Sequence, residues 1–154
     1  MLFSSENNSP TSGPAIGDSQ GLLRRFGKPL NVLIVEDEPL TALDFSLMVE
    51  DAGGHPVGTA SSANGAEALA KSASPDVILM DVRLMGERDG VDAARAIRAF
   101  SNVPIVFVTG NSDRMTSERI RAFDGKAPVS KPVTQEALVN AVAEALRGAA
   151  QRSG

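Results

Sequence analysis

The 154-residue chain contains no cysteine, no tryptophan and no tyrosine, and its single histidine is His55. The absence of cysteine excludes disulfides, thiol catalysis and cysteine-ligated metal sites. No apolar run approaches the ~18–20 residues that a membrane span requires, and the polar amino terminus does not resemble a signal peptide. A net charge of -4 argues against the basic stripe of a nucleic-acid-binding surface. We therefore expect an ordinary cytoplasmic domain with no membrane-bound or DNA-binding part.

Residues 1–28 form a polar extension that is rich in Ser, Asn, Gly and Pro. Such a segment has too few apolar side chains to offset the entropy of folding, so we expect it to be disordered. The apolar cluster at residues 22–26 could form one turn of helix against the domain, although a frayed linker is the favoured interpretation. The length leaves room for one domain at residues 29–148, followed by a short polar tail at residues 149–154.

Five short apolar runs alternate with five segments of helical periodicity from residue 30 onward. The predicted strands are residues 30–35, 57–60, 77–81, 105–109 and 127–130, and the predicted helices begin near residues 39, 63, 91, 112 and 134, with Gly148 ending the last. Strand-helix alternation with short loops predicts a doubly wound parallel sheet with helices on both faces. Five strands favour the flavodoxin-like order 2-1-3-4-5, with five helices.

Polar side chains stand at the carboxyl ends of four predicted strands. Glu36 and Asp37 follow the first strand, and Asp81 ends the third. Thr109 ends the fourth strand, and Lys131 follows the fifth. Ligands of open parallel sheets bind just beyond these ends, and the first and third strands are neighbours in the predicted order. The sequence therefore predicts three converging carboxylates beside a hydroxyl and an ammonium.

Converging carboxylates require a proton or a cation, because two of them ~4 Å apart repel by about 4 kcal/mol at an effective dielectric of ~20. With only oxygen ligands available, Mg²⁺ fits this set. The set also suits phosphoryl chemistry, with Asp81 attacking as a nucleophile to become an acyl phosphate. Taken singly, Asp81 could be a strand-end cap, Thr109 a β-branched filler and Lys131 a surface charge. Their common position at one sheet edge favours the functional interpretation.

Four segments give the chain a resemblance to the response-regulator receiver domain of two-component signalling. They are residues 35–39 (VEDEP), 80–84 (MDVRL), 108–110 (VTG) and 130–133 (SKPV), and the resemblance covers about residues 30–146. It implies a CheY-like, flavodoxin-like fold. It also implies that Asp81 accepts a phosphoryl group from a histidine kinase or a histidine phosphotransfer protein.

The resemblance also implies roles for individual residues. A Mg²⁺ site would be formed by Asp37, Asp81 and the backbone carbonyl of Arg83, with Glu36 assisting. Thr109 would contact the phosphoryl oxygens and Lys131 would pair with them. The bond before Pro132 would be cis, which is uncommon among X–Pro bonds.

Two departures from the usual receiver pattern concern the switch. Pro128 stands where receivers commonly carry the aromatic that couples to the threonine. Residues 107–110 (FVTG) resemble the FAT-GUY subfamily, whose members are linked to HWE-type histidine kinases, but Asn111 replaces the aromatic of that motif. Because Gly110 precedes a helix with few apolar anchors, we expect phosphorylation to reorder residues 110–123 instead.

Two other functions compete with this interpretation. A phosphatase of the dehalogenase type would need a second Asp two residues after Asp81, where this chain has Arg83. We therefore expect a phosphoacceptor that signals through protein contacts or phosphate relay, and not an enzyme with turnover. A receiver-like scaffold that binds partners without phosphate stays open as the alternative. His55 lies in a Gly-Gly-His-Pro turn, and we interpret it as a loop residue.

Overall fold

The computed structural model describes residues 20–110 and 113–153, with side chains as far as residue 150. Its strands are β1 (Asn31–Val35), β2 (His55–Ala60), β3 (Val77–Asp81), β4 (Ile105–Thr109) and β5 (Val129–Ser130). Its helices are α1 (Gly21–Phe26), α2 (Pro39–Asp51), α3 (Ala63–Ala73), α4 (Gly90–Arg98), α5 (Arg114–Asp124) and α6 (Gln135–Ser153).

The five strands form one parallel sheet in the order β2-β1-β3-β4-β5. This confirms the predicted flavodoxin-like fold and strand order. The strand β2 begins at His55, whose backbone N–H bonds to the carbonyl of Leu30, so the loop interpretation of His55 is wrong although its side chain is exposed.

Alternate residues of the central strands face two apolar layers, as expected for a sheet covered on both sides. On one face, Leu33 and Met80 pack with α3, α4 and α5. On the other, Ile34 and Leu79 pack with α1, α2 and α6. Because both faces of the sheet are packed, the residues at its carboxyl edge are held in place by buried strands.

Side-chain caps start the helices that leave this edge. Glu38, Ser62, Asp89 and Asp113 each accept a hydrogen bond from the backbone N–H three residues further on. Such caps are each worth about 1 kcal/mol. In α2, Pro39 occupies the first helical position, where no amide hydrogen is needed. The helix starts beside the sheet edge are therefore defined by the sequence itself.

The structure differs from the prediction at residues 20–28, where the frayed-linker interpretation is wrong. Helix α1 docks on the domain: Leu22 is fully buried, and its N–H bonds to the carbonyl of Ala52 at 3.0 Å. Gln20 N donates to Asp51 O at 2.7 Å, and Arg25 reaches Asn140 Oδ1 at 2.9 Å. The carbonyls of Asp51 and Ala52 at the end of α2 thus accept hydrogen bonds from this segment. The fold has six helices in its described part, and residues 1–19 lie outside it.

Helix α6 also runs further than predicted, passing through Gly148 to Ser153. A glycine inside a helix costs only about 1 kcal/mol relative to alanine. The alanines that follow, Ala149 and Ala150, favour helix and explain why Gly148 does not end it. The predicted polar tail from residue 149 is therefore helical as far as residue 153.

Helix α2 turns its leucines to solvent. Leu40, Leu43 and Leu47 are 73%, 54% and 54% exposed, and we call these three residues the leucine ridge. The buried face of α2 carries Phe45 and Val49 instead. The ridge begins one residue after Pro39, beside the carboxyl edge of the sheet.

Candidate functional site

Strand pairing brings the predicted site residues to one edge of the sheet. Asp81 ends β3 and pairs with Val108 of β4, while Thr109 at the end of β4 pairs with Ser130 of β5. The side chains of Glu36, Asp81 and Thr109 are buried there. They are held by strands that are themselves buried on both faces.

The predicted carboxylate cluster is present. Glu36, Asp37 and Asp81 each place a carboxylate oxygen within 4.8 Å of the others. Glu36 is buried, and its Oε2 accepts a hydrogen bond of 3.1 Å from Glu38 N. Asp37 is more exposed and lines the open cleft that also contains Asp81. The oxygens form a hard donor set of the kind that Mg²⁺ prefers.

Lys131 compensates part of this charge. Its Nζ lies 2.6 Å from Glu36 Oε1 and 3.2 Å from Asp81 Oδ2. Burial disfavours the ammonium, but the hydrogen bond to Glu36 and the charge of Asp81 outweigh it and raise the pKa of Lys131 above its ordinary value. The bond between Lys131 and Pro132 is cis, as the resemblance implied.

The remaining predicted residues differ in their placement. Arg83, Thr109 and Gly110 line the cleft with Asp81, and the N–H of Arg83 lies 3.4 Å from Asp81 Oδ1. Pro128 is half-buried immediately before β5 and is not among the residues that line the cleft. Asn111 lies outside the described residues.

A charged network behind the cleft was missed by the sequence analysis. Asp89 and Asp92 form a reciprocal capping box at the start of α4, and Arg119 of α5 bridges both carboxylates. The Asp-x-x-Asp spacing before an apolar run was a visible signal for the cap. Nothing in the sequence indicated that Arg119, 30 positions from Asp89, would join it.

Comparison with known proteins agrees with this fold and site. The family model described as response regulator receiver domain matches residues 32–143. The transcriptional regulatory protein PdtaR of Mycobacterium tuberculosis is 39% identical over 114 residues, which are 74% of this chain and 55% of PdtaR. The polar-differentiation response regulator DivK of Brucella anthropi is 31% identical over 119 residues, 74% of this chain and 94% of DivK. The chain thus spans about half the length of PdtaR but nearly all of DivK.

Solved structures give the same result. The signal receiver domain of a modulated diguanylate cyclase from Desulfovibrio desulfuricans G20 aligns with a TM-score of 0.75 at 30% identity, covering 81% of this chain and 99% of that one. The receiver domain of PhyR from Erythrobacter litoralis aligns with a TM-score of 0.66 at 29% identity, covering 79% of this chain and 92% of that one. No helix among the described residues is both long and apolar enough to cross a bilayer. The chain belongs to the response regulator receiver domain family.

Proposed function

We propose that this protein is a phosphoacceptor of two-component signalling in the cytoplasm, and that Asp81 takes a phosphoryl group from a phosphohistidine. The observation that carries the proposal is the Lys131 ammonium, which bonds to both Asp81 and Glu36 at the carboxyl edge of the sheet. An acyl phosphate on Asp81 would keep this cation beside its new negative charge.

The proposed transfer is a displacement at phosphorus. An Asp81 carboxylate oxygen attacks, the phosphorus–nitrogen bond of the phosphohistidine breaks, and its electron pair stays on the imidazole nitrogen of the donor. Lys131 pairs with the phosphoryl oxygens, and the hydroxyl of Thr109 donates to them. Both side chains line or border the cleft that contains Asp81. Each side chain stabilises negative charge on the phosphoryl oxygens that the attack would otherwise leave uncompensated.

The acid cluster fits a bound Mg²⁺ by its chemistry. Three carboxylates whose oxygens lie within 4.8 Å of one another carry more negative charge than one ammonium neutralises. We assign the metal to Asp37, Asp81 and the backbone carbonyl of Arg83, with Glu36 assisting. When bound, Mg²⁺ would neutralise charge as the anionic phosphoryl group approaches Asp81. Glu36 has both oxygens in hydrogen bonds, to Lys131 and to Glu38 N, which suits an assisting role.

We propose a long-lived acyl phosphate in place of repeated hydrolysis. Two residues after Asp81, where a phosphatase of the dehalogenase type would carry an Asp as its general acid, the chain has Arg83, which has no carboxyl group to fill that role. The receiver family to which the chain belongs consists of signalling domains. The product should therefore persist long enough to be read by a protein partner.

The leucine ridge is the surface that we assign to the phosphohistidine donor. Asp81 is only 5% exposed, so the donor histidine must enter the cleft and the surrounding donor surface must cover its rim. A second depression next to the cleft is lined by Asp37, Pro39 and Leu43, so the rim continues into the ridge. Burying exposed leucines favours association by ~25 cal/mol for each Å² covered. A helical face of a histidine kinase, which we propose to be of the HWE type from the resemblance at residues 107–110, suits such a ridge.

The output of phosphorylation would be a change in the structural order of residues 110–123. Ile120 is the fully buried side chain of α5, whereas Met115 is 74% exposed. A helix with so little buried apolar surface has low local stability. Gly110 lines the cleft and is the first residue of this segment, and Pro128 stands where receivers commonly carry the switch aromatic. We propose that phosphorylation reorders this segment and thereby alters its contacts with a downstream protein.

Transfer of radiolabelled phosphate tests the proposal with two donors, a phosphorylated HWE-type kinase and the small molecule phosphoramidate. We expect the wild-type protein to be labelled by both and Asp81→Asn by neither. Leu43→Asp should keep labelling by phosphoramidate and lose most labelling by the kinase. Phe100→Asp is the control, because Phe100 is also exposed but follows the far end of α4. Labelling of Asp81→Asn would refute the assignment of Asp81 as the phosphoacceptor. An equal loss of labelling with both donors in Leu43→Asp would refute the assignment of the leucine ridge as the surface for the phosphohistidine donor.

A further inference from the structure

The first residue of α4 rests directly on the backbone of Asp81. Gly90 N donates a hydrogen bond of 2.7 Å to Val82 O, which closes the loop that follows the acceptor. A Cβ at position 90 would lie 2.0 Å from the Asp81 carbonyl oxygen, so only glycine allows this contact. Any shift of the Asp81 peptide must therefore move the start of α4.

Two carboxylates fix that start. Asp89 Oδ1 accepts from Asp92 N at 3.0 Å, and Asp92 Oδ2 accepts from Asp89 N at 3.0 Å. The two acids also favour the amino end of the helix electrostatically. Side by side they repel one another, which a nearby cation would relieve.

Arg119 of α5 supplies the cation. Its Nη1 donates to Asp89 Oδ2 at 2.7 Å, and its Nη2 reaches Asp89 Oδ1 and Asp92 Oδ1 at 3.2 Å each. Burial disfavours the Asp89 carboxylate, but the hydrogen bonds from Arg119 and from Asp92 N hold its pKa below its ordinary value. The hydrogen bond to Asp89 in turn raises the pKa of Arg119. The fork is bidentate and only partly exposed, which is the stronger and more directional kind of ion pair.

The rest of α5 is anchored further along the helix. Phe123 packs edge-on against Phe107, with ring centroids 5.6 Å apart, and the guanidinium of Arg98 lies 5.1 Å from the centroid of the Phe123 ring. Met115, near the start of α5, is exposed. Arg119 is thus the point at which the helix meets the start of α4 through charge.

We infer that Arg119 is a positioning residue that couples the acceptor loop to α5. The inference rests on the proposed phosphorylation of Asp81. An acyl phosphate carries about -1.5 to -2 charges, in place of the single negative charge of the Asp81 carboxylate. The resulting shift of its peptide passes through Gly90 to the capping carboxylates and through Arg119 to α5. This path would replace the threonine–aromatic switch, whose aromatic position is Pro128 in this chain.

Amide hydrogen exchange tests the coupling, measured with Mg²⁺ in the presence and absence of beryllofluoride as a phosphoryl mimic. In the wild-type protein we expect exchange to change by at least about twofold both in residues 82–92 and in residues 116–123. In Arg119→Gln the response of residues 82–92 should remain, whereas that of residues 116–123 should be lost. Asp92→Asn removes the charge of the second carboxylate that Arg119 reaches and leaves the two hydrogen bonds to Asp89, so it should reduce the response of residues 116–123. Arg114→Gln is the control, since Arg114 is exposed on the same helix and pairs with Glu118.

The outcomes separate coupling from simple support of the helix. If Arg119 only stabilises α5, then Arg119→Gln will exchange faster in both states, but the difference between states will persist, which overturns the inference. If Arg119→Gln does not fold, Asp92→Asn decides, and an unreduced response in it overturns the inference. A wild-type protein that gains phosphate at Asp81 without any response in α5 overturns the inference and the proposed reordering of residues 110–123, but leaves the proposed phosphoacceptor role of Asp81 intact. A wild-type protein that gains no phosphate overturns both.

Discussion

Lys131 Nζ donates a hydrogen bond of 2.6 Å to Glu36 Oε1 and so joins two residues that are 95 positions apart in the sequence. The strands that precede them, β1 and β5, are not neighbours in the sheet, because β3 and β4 lie between them. The pair therefore spans the carboxyl edge of the sheet beside Asp81. A buried carboxylate without such a partner would be strongly destabilised, so the ammonium makes the acid cluster tolerable.

Replacing the Lys131 ammonium should show that the stability of the acid cluster depends on it. We expect Lys131→Met to lower the free energy of unfolding by about 1–3 kcal/mol in the absence of Mg²⁺, less than for a fully buried pair because Lys131 is partly exposed. Added Mg²⁺ should recover part of the loss. Urea unfolding measures this, with Lys126→Met as the control, because Lys126 bonds to the exposed carbonyl of Glu144. An equal loss in both variants would contradict the role of the pair.

Removing Asp37 should affect metal binding more than folding. Without Mg²⁺, we expect Asp37→Asn to be at least as stable as the wild type, because one of three mutually repelling carboxylates is gone. With Mg²⁺, the wild type should gain about 2.7 kcal/mol at a concentration 100 times its Kd. The variant should need at least about tenfold more Mg²⁺ for the same gain. Thermal unfolding against Mg²⁺ concentration checks this, and Asp44→Asn, an exposed acid of α2, should behave as the wild type.

Thr109 offers a matched pair of substitutions. Thr109→Val keeps the buried, β-branched shape and removes the hydroxyl, so we expect it to fold but to accept phosphate at least about tenfold more slowly. Thr109→Ser keeps the hydroxyl and removes one methyl, which should cost about 0.8 kcal/mol of stability and little rate. Rates of modification by phosphoramidate together with urea unfolding separate the two effects. Equal rates for Thr109→Val and the wild type would refute a role for the hydroxyl.

Helix α1 should behave as part of the folded domain. Leu22 is fully buried, so Leu22→Ala should lower the free energy of unfolding by about 2–4 kcal/mol. Leu40→Ala is the control, since Leu40 is 73% exposed and should change stability by less than about 0.5 kcal/mol. Similar small effects of both substitutions on urea unfolding would show that α1 adds nothing to the stability of the fold.

The sheet and the convergence at its edge were accessible from the sequence because both depend on chain order. Once the strands alternate with helices, the residues after Val35, at Asp81 and at Thr109 must meet at one edge, whatever their contacts. The face that α2 buries was not accessible in this way. The exposed leucine ridge and the buried Phe45 and Val49 both fall at helical spacing, so periodicity predicts the helix but not its orientation.

The features that the sequence missed depend on tertiary contacts of weakly patterned residues. Arg119 looks like any charge on an exposed helix until α4 places Asp89 and Asp92 beside it. Residues 22–26 are too short to predict a helix alone, because an isolated turn is unstable without packing. The end of α2 and the side of α6 provide that packing through Asp51, Ala52 and Asn140.

The most direct test of the account is the intact mass of the protein after incubation with acetyl phosphate and Mg²⁺. We predict that the wild type gains the mass of one phosphoryl group per chain, that the gain requires Mg²⁺, and that Asp81→Asn gains none. A wild-type protein that shows no gain, or an Asp81→Asn variant that gains as much as the wild type, would contradict the claim that Asp81 is the phosphoacceptor.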